Sequence, residues 1–524
     1  MAASPWAPLR RPLFRALWIA TVISSVGTWM HEVGAGWLMV TLNPSPVMVS
    51  LVQAATALPL FFLALPAGAL ADIVDRRQLL IATQAWMLGC SLLLGLITLA
   101  GAVDAWMLLV ITFALSCGAA MMTPAWAATV PELVPREELQ PAVALNSIGI
   151  NVARAIGPAL AGVLVAATGP AAAFLLNAVS FIGVIVVLAR WRRVPRASTL
   201  PAERFFGAMR AGLRYVRAAP RLQAVMVRAL TFFVFATATW ALLPLVARAS
   251  GGGAEIYGIL LASIGAGAVG GAFVLPRLRA ALTRDALVRA ASTLYAAAMA
   301  AAALGSTLQV LVPAMLVTGA AWIAVLSSLH VSAQTSVPAW VRARALSIYL
   351  VMFAAGTTGG AVLWGAVAAR SSISIALLAA AAGALLAVLS TWRVSLGGQD
   401  EADHTSPVSW PEPQTHGEIE PDRGPVLITV EYRIAPESSA AFAAAMQELR
   451  RIRRRDGAVS WGLFYDAADP QRFVESFVVE SWVEHMRQHQ RATLADGEIS
   501  SRARSFHLGP EPPHVSHLLA AEPG

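Results

Sequence analysis

The chain has 524 residues, 57% of them hydrophobic and 13% charged, with a formal net charge of +8 at pH 7. A soluble domain carries about 25% charged residues, so lipid is the solvent that this composition fits. All 38 basic residues are arginine, which excludes a Walker A loop, a Schiff-base site and a pyridoxal enzyme because each requires lysine.

The sequence up to Arg393 divides into twelve apolar stretches, each about as long as the roughly 20 residues that a helix needs to cross the hydrocarbon core. The first is too long for the core of a cleavable signal peptide, so we expect it to remain as an anchor. The predicted spans are 14–40, 47–70, 79–99, 105–126, 141–167, 171–191, 223–247, 257–276, 285–305, 308–330, 343–368 and 372–392. This pattern predicts an all-α polytopic membrane protein.

Arginines follow the even-numbered spans, as Arg76 and Arg77 do after the second span, whereas loops such as 42–46 carry no positive charge. Topology is a sufficient cause for this distribution, so we expect no nucleic-acid partner. The positive-inside rule places both termini in the cytoplasm of a bacterial cell, with the chain in the inner membrane.

A hydrophilic break separates the sixth span from the seventh, and the composition becomes polar after Arg393. The predicted domains are an N-terminal six-helix half (1–191), a cytoplasmic central loop (192–222), a C-terminal six-helix half (223–395), a flexible linker (396–424) and a soluble cytoplasmic α+β domain (425–518). Within the last domain, periodicity predicts strands at 426–434, 459–465 and 473–479 and helices at 437–455 and 482–493.

The loop between the second and third spans reads Gly68-Ala69-Leu70-Ala71-Asp72-Ile73-Val74-Asp75-Arg76-Arg77. It matches the major facilitator pattern G-x-L-a-D-x-x-x-R-[RK], in which glycine permits close helix approach and aspartate sits against a helix N-terminus. The predicted gating residues are Gly68, Asp72, Asp75, Arg76 and Arg77. A tight turn with topogenic arginines is the alternative interpretation.

Further motifs resemble the enterobactin-exporter-like branch of the major facilitator superfamily. They are Gly27-Thr28-Trp29-Met30, Gly36-Trp37-Leu38, Pro131-Glu132-Leu133-Val134-Pro135, Ala144-Leu145-Asn146-Ser147 and Ala155-Ile156-Gly157-Pro158-Ala159-Leu160-Ala161-Gly162. One departure is that Ala125-Trp126 stands where the branch has an Arg-Gln pair. The resemblance implies two six-helix halves and export of a small molecule, such as a siderophore-like metabolite or a drug.

The tail is similar to antibiotic-biosynthesis monooxygenase domains, which are ferredoxin-like units that commonly pair as dimers, and this implies self-association. His485 and His489 are four residues apart on a predicted helix, a spacing that suits a metal or haem. Because no third ligand accompanies them, we expect no metal and no other cofactor. We also expect no catalytic residues, since fold does not give function.

Ionisable residues inside spans point to function, because a charge at the bilayer centre costs about 2.5–3.5 kcal/mol on insertion scales. His31 and Glu32 lie in the first span and Arg154 in the fifth. Glu32 is predicted to bind a proton in one conformation and release it in the other, with His31 tuning it. The alternatives are a Glu32 that faces water near the span's end and an Arg154 that only holds the bundle together.

Helical spacing separates two stripes on the fifth span. Ser147, Asn151, Arg154 and Pro158 are predicted to line a cavity, and we add Asn146 to the substrate and proton-coupling candidates. Small residues at intervals of four predict a packing face. The packing residues that we single out are Gly149, Gly157, Pro158 and Gly162.

Other spans supply amides and aromatic rings for a cavity, although interhelical contacts and interfacial anchoring are the commoner roles of these residues. The candidates are Gln53, Gln84, Trp126, Asn177, Trp240 and Trp322. The sequence thus predicts a secondary transporter, not an enzyme, that exports a small molecule by alternating access and is driven by protons. Import, and a membrane anchor whose tail is the working unit, are the alternatives.

Overall fold

The computed structural model describes residues 6–191, 215–217, 219–338, 342–396, 419–420, 422–491 and 494–521. Among them, twelve helices are long and apolar enough to cross a membrane. They are α1 (Pro12–Leu42), α2 (Pro46–Ile73), α3 (Arg76–Leu99), α4 (Ala105–Leu133), α5 (Leu139–Thr168), α6 (Pro170–Arg190), α7 (Pro220–Ala249), α8 (Ala254–Ala281), α9 (Arg284–Leu304), α10 (Leu308–Thr335), α11 (Arg342–Arg370) and α12 (Ile373–Ser390). The prediction of a twelve-helix membrane fold is confirmed.

Short polar side chains begin several of these helices. Asp75 accepts a hydrogen bond from the backbone N–H of Gln78, and Asp104 accepts one from that of Met107. Such caps satisfy backbone donors that a helix start leaves unpaired. The helices also extend beyond the predicted spans, since α4 continues through Pro131 to Leu133, because hydropathy defines the apolar part of a helix and not its hydrogen-bonded end.

The chain forms two compact units. The first comprises 1–202, 225–331 and 349–396, which hold most of the twelve helices. The second comprises 203–224, 332–348 and 397–524. Most of the predicted central loop and linker lies outside the described residues, and the five predicted domain boundaries stay predictions.

Buried ion pairing fixes the end of α12 to α7 and α9. Arg228 on α7 is 4% exposed, and its Nη1 lies 2.7 Å from Oδ1 of Asp285. Its Nη2 donates to the carbonyls of Thr391 and Val394, while Asp285 accepts from the backbone N–H of Leu396. The acidic partner at the start of α9 therefore holds the Arg228 guanidinium inside the protein.

Asp285→Asn is expected to lower the free energy of unfolding by about 3 kcal/mol, because breaking a buried pair leaves an uncompensated charge. The apparent melting temperature of the detergent-purified protein measures this loss. Asp104→Asn makes the same chemical change at a helix cap, where asparagine serves as well as aspartate, so its melting temperature should match the parent protein. Equal melting temperatures for the two variants would contradict a stabilising role of the Arg228–Asp285 ion pair.

The second unit contains a four-stranded antiparallel sheet. Its strands are β1 (Val426–Arg433), β2 (Ser460–Tyr465), β3 (Arg472–Val479) and β4 (His514–Leu519), in the order β2-β3-β1-β4. Its helices are α13 (Ser439–Asp456), α14 (Trp482–Arg491) and α15 (Leu494–Arg504). The prediction of a small α+β domain is confirmed, and β4 and α15 are additions to the predicted elements.

One face of this sheet carries the core. Alternate residues of β1 and β3 are buried, among them Val430, Tyr432 and Phe473, and they pack with Phe442 and Met446 of α13. Glu475 on the same face is fully buried but paired, since it accepts from Arg453 and from the indole of Trp461. Burial of a paired carboxylate is tolerated because its hydrogen bonds replace those to water.

Candidate functional site

The central cavity is a small space between the two six-helix halves. Its volume is about 40 Å³, which is room for a few water molecules but far below the 300–1,000 Å³ of a drug-sized ligand site. It is lined by His31, Glu32, Ala35, Gly36, Val49, Val52, Gln53, Thr56, Thr112, Trp240, Ala241, Pro244, Tyr257 and Leu261. The cavity is therefore too small to hold a drug-sized ligand.

Glu32 and Arg154 come from different helices and interact electrostatically. The guanidinium carbon of Arg154 lies 5.5 Å from the ring centroid of Trp29, one turn before Glu32 on α1. Trp29 in turn lies 6.5 Å from Trp240 of α7, centroid to centroid. The Nε of Arg154 is buried and has no hydrogen-bond partner among the described residues. A buried guanidinium nitrogen without a hydrogen-bond partner makes Arg154 a candidate binding residue.

His31 is 3% exposed and is held by α3 and α6. Its Nδ1 lies 3.3 Å from Oγ of Ser91, which donates to the carbonyl of Phe174 and accepts from Nδ2 of Asn177. The imidazole also packs on the Phe174 ring at 4.8 Å. Asn177, predicted as a cavity residue, instead donates to Ser91, the residue that contacts His31.

The other amide candidates are distributed over several environments. Gln53 lines the central cavity, whereas Gln84 lies 3.0 Å from the sulfur of Met122 between α3 and α4. Asn151 donates to the carbonyl of Ser147 in its own helix. Asn146 is partly buried on α5. Of these four, only Gln53 adjoins Glu32 in the cavity lining.

The aromatic candidates are divided in the same way. Trp240 lines the cavity, and its ring lies 5.4 Å from that of Trp322. Trp322 is 7% exposed and packs with Phe232 and Phe233 behind the cavity wall. Trp126 packs in an apolar cluster of the N-terminal half that also contains Leu133. The cavity wall in the C-terminal half is thus backed by an aromatic cluster.

The predicted gating loop ties three helices together. Asp75 caps α3, Arg76 forms a 2.7 Å ion pair with Glu132 at the end of α4, and Arg77 donates to the carbonyls of Leu188 and Ala189 on α6. A Cβ at Gly68 would meet no atom of the described residues within 4 Å. The side chain of Asp72 lies outside the described residues.

The glycines of α5 face two different helices. A Cβ at Gly149 would meet Val22 at 2.6 Å and one at Gly157 would meet Trp29 at 2.6 Å, both on α1. Farther along, a Cβ at Gly258 of α8 would lie 2.6 Å from Cα of Gly162 and 2.7 Å from the carbonyl oxygen of Pro158. Glycine allows this approach because no side chain separates the two backbones. The two halves therefore meet at a backbone contact between α5 and α8.

Sequence reasoning missed Tyr257, Thr112 and Ser91. Tyr257 lies on α8 against Gly36 of α1, and Thr112 reaches the cavity from α4. Single hydroxyl residues in apolar helices are common, so nothing local distinguishes these three from others. Ser91 and Thr112 lie well inside their helices, whereas Tyr257 lies in the first turn of α8.

In the second unit, His485 packs against Trp482 and His517, with ring centroids 5.5 and 4.7 Å away. Burial lowers the pKa of His517 from its usual value, which favours the neutral ring. Among the described residues there is no group of three or more His, Cys, Asp or Glu side chains that would hold a metal. The side chain of His489 lies outside the described residues.

Known proteins resemble this chain in sequence. It is 30% identical over 272 residues to the uncharacterized MFS-type transporter YfiS of Bacillus subtilis and 25% identical over 256 residues to the staphyloferrin A transporter of Staphylococcus aureus. These alignments cover 49% and 48% of the chain, and the chain spans 64% of each relative's length. The enterobactin exporter EntS of Salmonella paratyphi A is 26% identical over 404 residues, which cover 76% of the chain and 95% of that protein.

Solved structures share the fold. A bacterial homologue of the lysosomal transporter Spinster, inward-facing and occupied, has a TM-score of 0.59 at 16% identity and covers 74% of this chain and 98% of its own. The nucleoside transporter NupG has a TM-score of 0.59 at 13% identity, with coverage of 73% and 99%. The family model described as transmembrane secretion effector matches residues 3–523. This chain therefore belongs to the transmembrane secretion effector family of major facilitator transporters.

Proposed function

We propose that this protein is a proton-coupled exporter of a small molecule that works by alternating access in the inner membrane of a bacterium, with both termini in the cytoplasm. The observation that carries the proposal is the electrostatic interaction of Arg154 with Glu32, which lines the cavity between the two halves. A carboxyl group that loses its cationic partner when the cavity changes shape also changes its preference for a proton. Proton binding is thereby linked to conformation.

The relatives support export. They include a staphyloferrin A transporter, enterobactin exporters and a macrolide efflux protein of Streptococcus pyogenes. Siderophores and macrolides are small molecules with many oxygen atoms, so we propose a siderophore-like metabolite or a drug as substrate. Arg154 would bind an acidic group of the substrate, and the indole of Trp240 would provide an apolar wall.

A metabolite comparison tests this proposal. Small molecules in cells and medium are measured by mass spectrometry for a deletion strain, the same strain with the gene restored, and the parent, in iron-poor and iron-rich culture. The expected result is a compound that accumulates inside the deletion strain and returns to the medium on complementation. Equal partitioning of every compound, together with unchanged drug sensitivity, would contradict export.

The other candidate function places the working unit in the tail, as an oxygenase or a regulatory dimerisation module. The observation in its favour is a folded sheet domain in which the rings of Trp482, His485 and His517 pack together, with His485 buried. Removing the residues after Leu396 keeps the contacts of Val394 and Leu396 with Arg228 and Asp285 and separates the two functions. Persistent export without the tail supports the transporter proposal, whereas loss of a chemical conversion would favour the tail.

We further propose that the tail pairs with a second copy through the open face of its sheet. Phe464 and Leu518 lie on that face and are 60% and 52% exposed, and their ladder partners there are Val474 and Leu427. Exposed apolar side chains on one face of a sheet favour burial against a partner.

Phe464→Glu is expected to lower the dimer fraction at least about tenfold, because an unpaired charge buried at an interface costs several kcal/mol. Native mass spectrometry of the full chain counts the subunits. Tyr465→Glu is the matched control, since Tyr465 is 70% exposed and pairs with Phe473 of the opposite face, and it should leave the dimer intact. A parent chain that is monomeric would overturn this proposal.

A further inference from the structure

The hydrogen bonds of Ser91 determine which nitrogen of His31 carries the proton. The Ser91 hydroxyl has one hydrogen, and it is donated to the carbonyl oxygen of Phe174 at 2.9 Å. The oxygen of Ser91 is then left with two lone pairs. One accepts from Nδ2 of Asn177 at 3.3 Å, and the other faces Nδ1 of His31 at 3.3 Å. Since Ser91 has no second hydrogen to give, Nδ1 of His31 must be the donor and must carry its proton.

The opposite nitrogen is consequently a bare acceptor. A neutral imidazole has one N–H and one lone pair, so the lone pair of His31 is on Nε2. This atom is buried and has no hydrogen-bond partner among the described residues. His31 and Glu32 both line the central cavity, whose volume of about 40 Å³ accommodates water. The cavity therefore contains a basic nitrogen next to a carboxyl group, with space for a bridging water.

We propose that His31 is a proton store for the transport cycle, with Ser91 as the residue that holds its orientation. This inference rests on the proton coupling proposed above. The Glu32 carboxyl group gives its proton to a cavity water, and that water gives a proton to Nε2. The O–H bond of Glu32 breaks and an N–H bond forms at Nε2, leaving a carboxylate, an imidazolium and an unchanged water.

The proton enters and leaves His31 by the same side. On the Nδ1 side, the chain of hydrogen bonds runs through Ser91 and ends at the Phe174 carbonyl, and a backbone carbonyl does not pass a proton onward. His31 thus exchanges its stored proton only with the cavity. It is not part of a proton-conducting chain of hydrogen bonds through α3 and α6. Alternating access requires this property, because a through-going wire would let protons leak across the membrane.

The ionisable groups around His31 come from several helices. Glu32 is its neighbour on α1, Arg154 acts on Glu32 from α5, and Tyr257 faces the same cavity from α8. Cys90 precedes Ser91 on α3, and Cys117 of α4 is near it. α6 places Phe174 on His31 and Asn177 on Ser91, and neither residue titrates.

Nuclear magnetic resonance of the full chain in lipid nanodiscs, labelled with ring-¹⁵N histidine, tests this inference. The nine histidines are distinguished with His31→Asn, whose amide keeps the donor to Ser91 and removes Nε2. We expect one signal with Nδ1 protonated and Nε2 bare at about pH 8, with Nε2 gaining a proton as the pH is lowered. Ser91→Ala should give a mixture of tautomers, and Ser91→Thr should restore the single form.

Two results would overturn the inference. One is a His31 ring that carries its proton on Nε2 in the parent chain. The other is an Nε2 that stays bare down to the pH at which the protein unfolds. His514→Asn, an exposed substitution in β4, controls for general effects on the spectrum. Because this experiment measures no transport, either result leaves proton coupling through Glu32 to be judged by the Glu32→Gln experiment alone.

Discussion

Glu32→Gln is expected to reduce proton-driven export at least about tenfold while substrate exchange across the membrane persists. Glutamine has the shape of a protonated glutamate, so the cavity keeps its form. It cannot bind and release a proton, so proton coupling through this position is lost. A tenfold loss of export corresponds to about 1.4 kcal/mol. This is a cautious expectation, because breaking a buried charge pair costs about 3–5 kcal/mol. Export from cells and exchange in proteoliposomes measure the two activities separately.

A matched substitution controls for the loss of a carboxylate. Glu137 is exposed, in the segment between α4 and α5, and Glu137→Gln should export at the parent rate. Arg154→Gln should impair both export and exchange, because it removes the proposed anion ligand. Full proton-driven export by the Glu32→Gln protein would contradict the proposed role of Glu32.

Gly258→Ala is expected to prevent the close contact between α5 and α8 and to reduce export strongly. The added methyl would meet Cα of Gly162 and the carbonyl oxygen of Pro158, and backbone atoms of a packed helix do not move aside as side chains do. Overpacking costs about 1–3 kcal/mol, which shifts the ratio of two conformations by about 5- to 150-fold. The state with this contact should therefore become rare.

Spin-label distances measure that shift. Labels are placed through Thr168→Cys and Glu255→Cys, after Cys90→Ser and Cys117→Ser, and the longer distance should dominate in the Gly258→Ala protein. Gly270→Ala on the same helix is the control, because a Cβ at Gly270 would meet no atom within 4 Å. If both variants keep the parent distance and the parent export rate, the backbone contact does not limit the cycle.

The membrane fold was predictable because each span must satisfy its own backbone in lipid, so hydropathy alone locates it. The tail was harder to predict. β4 has six residues after the Pro-containing segment 510–513, and it is ordered by pairing with β1, a contact between residues nearly ninety positions apart. α15 is a polar helix, and its packing against α13 is equally invisible in local periodicity.

The candidate site was predictable only where a residue is unusual for its surroundings. Glu32, His31 and Arg154 are ionisable groups in apolar helices, and the cost of burying them made them candidates. Ser91 and Tyr257 are ordinary residues locally, and they matter because α3 and α8 bring them to α1. Gln84 and Trp126 were selected, like Gln53 and Trp240, as an amide and an indole within apolar spans. They lie outside the cavity lining. Which of these amides and indoles reach the cavity depends on helix packing.

The most direct test of proton-coupled export is a proton-flux measurement in proteoliposomes, with the compound that the deletion strain retains. Adding that compound to one side of vesicles loaded with a pH-sensitive dye should move protons in the direction opposite to the compound for the parent chain, and should move none for Glu32→Gln. Movement of the compound by the parent chain with no accompanying proton flux would contradict the coupling mechanism proposed for Glu32, Arg154 and His31.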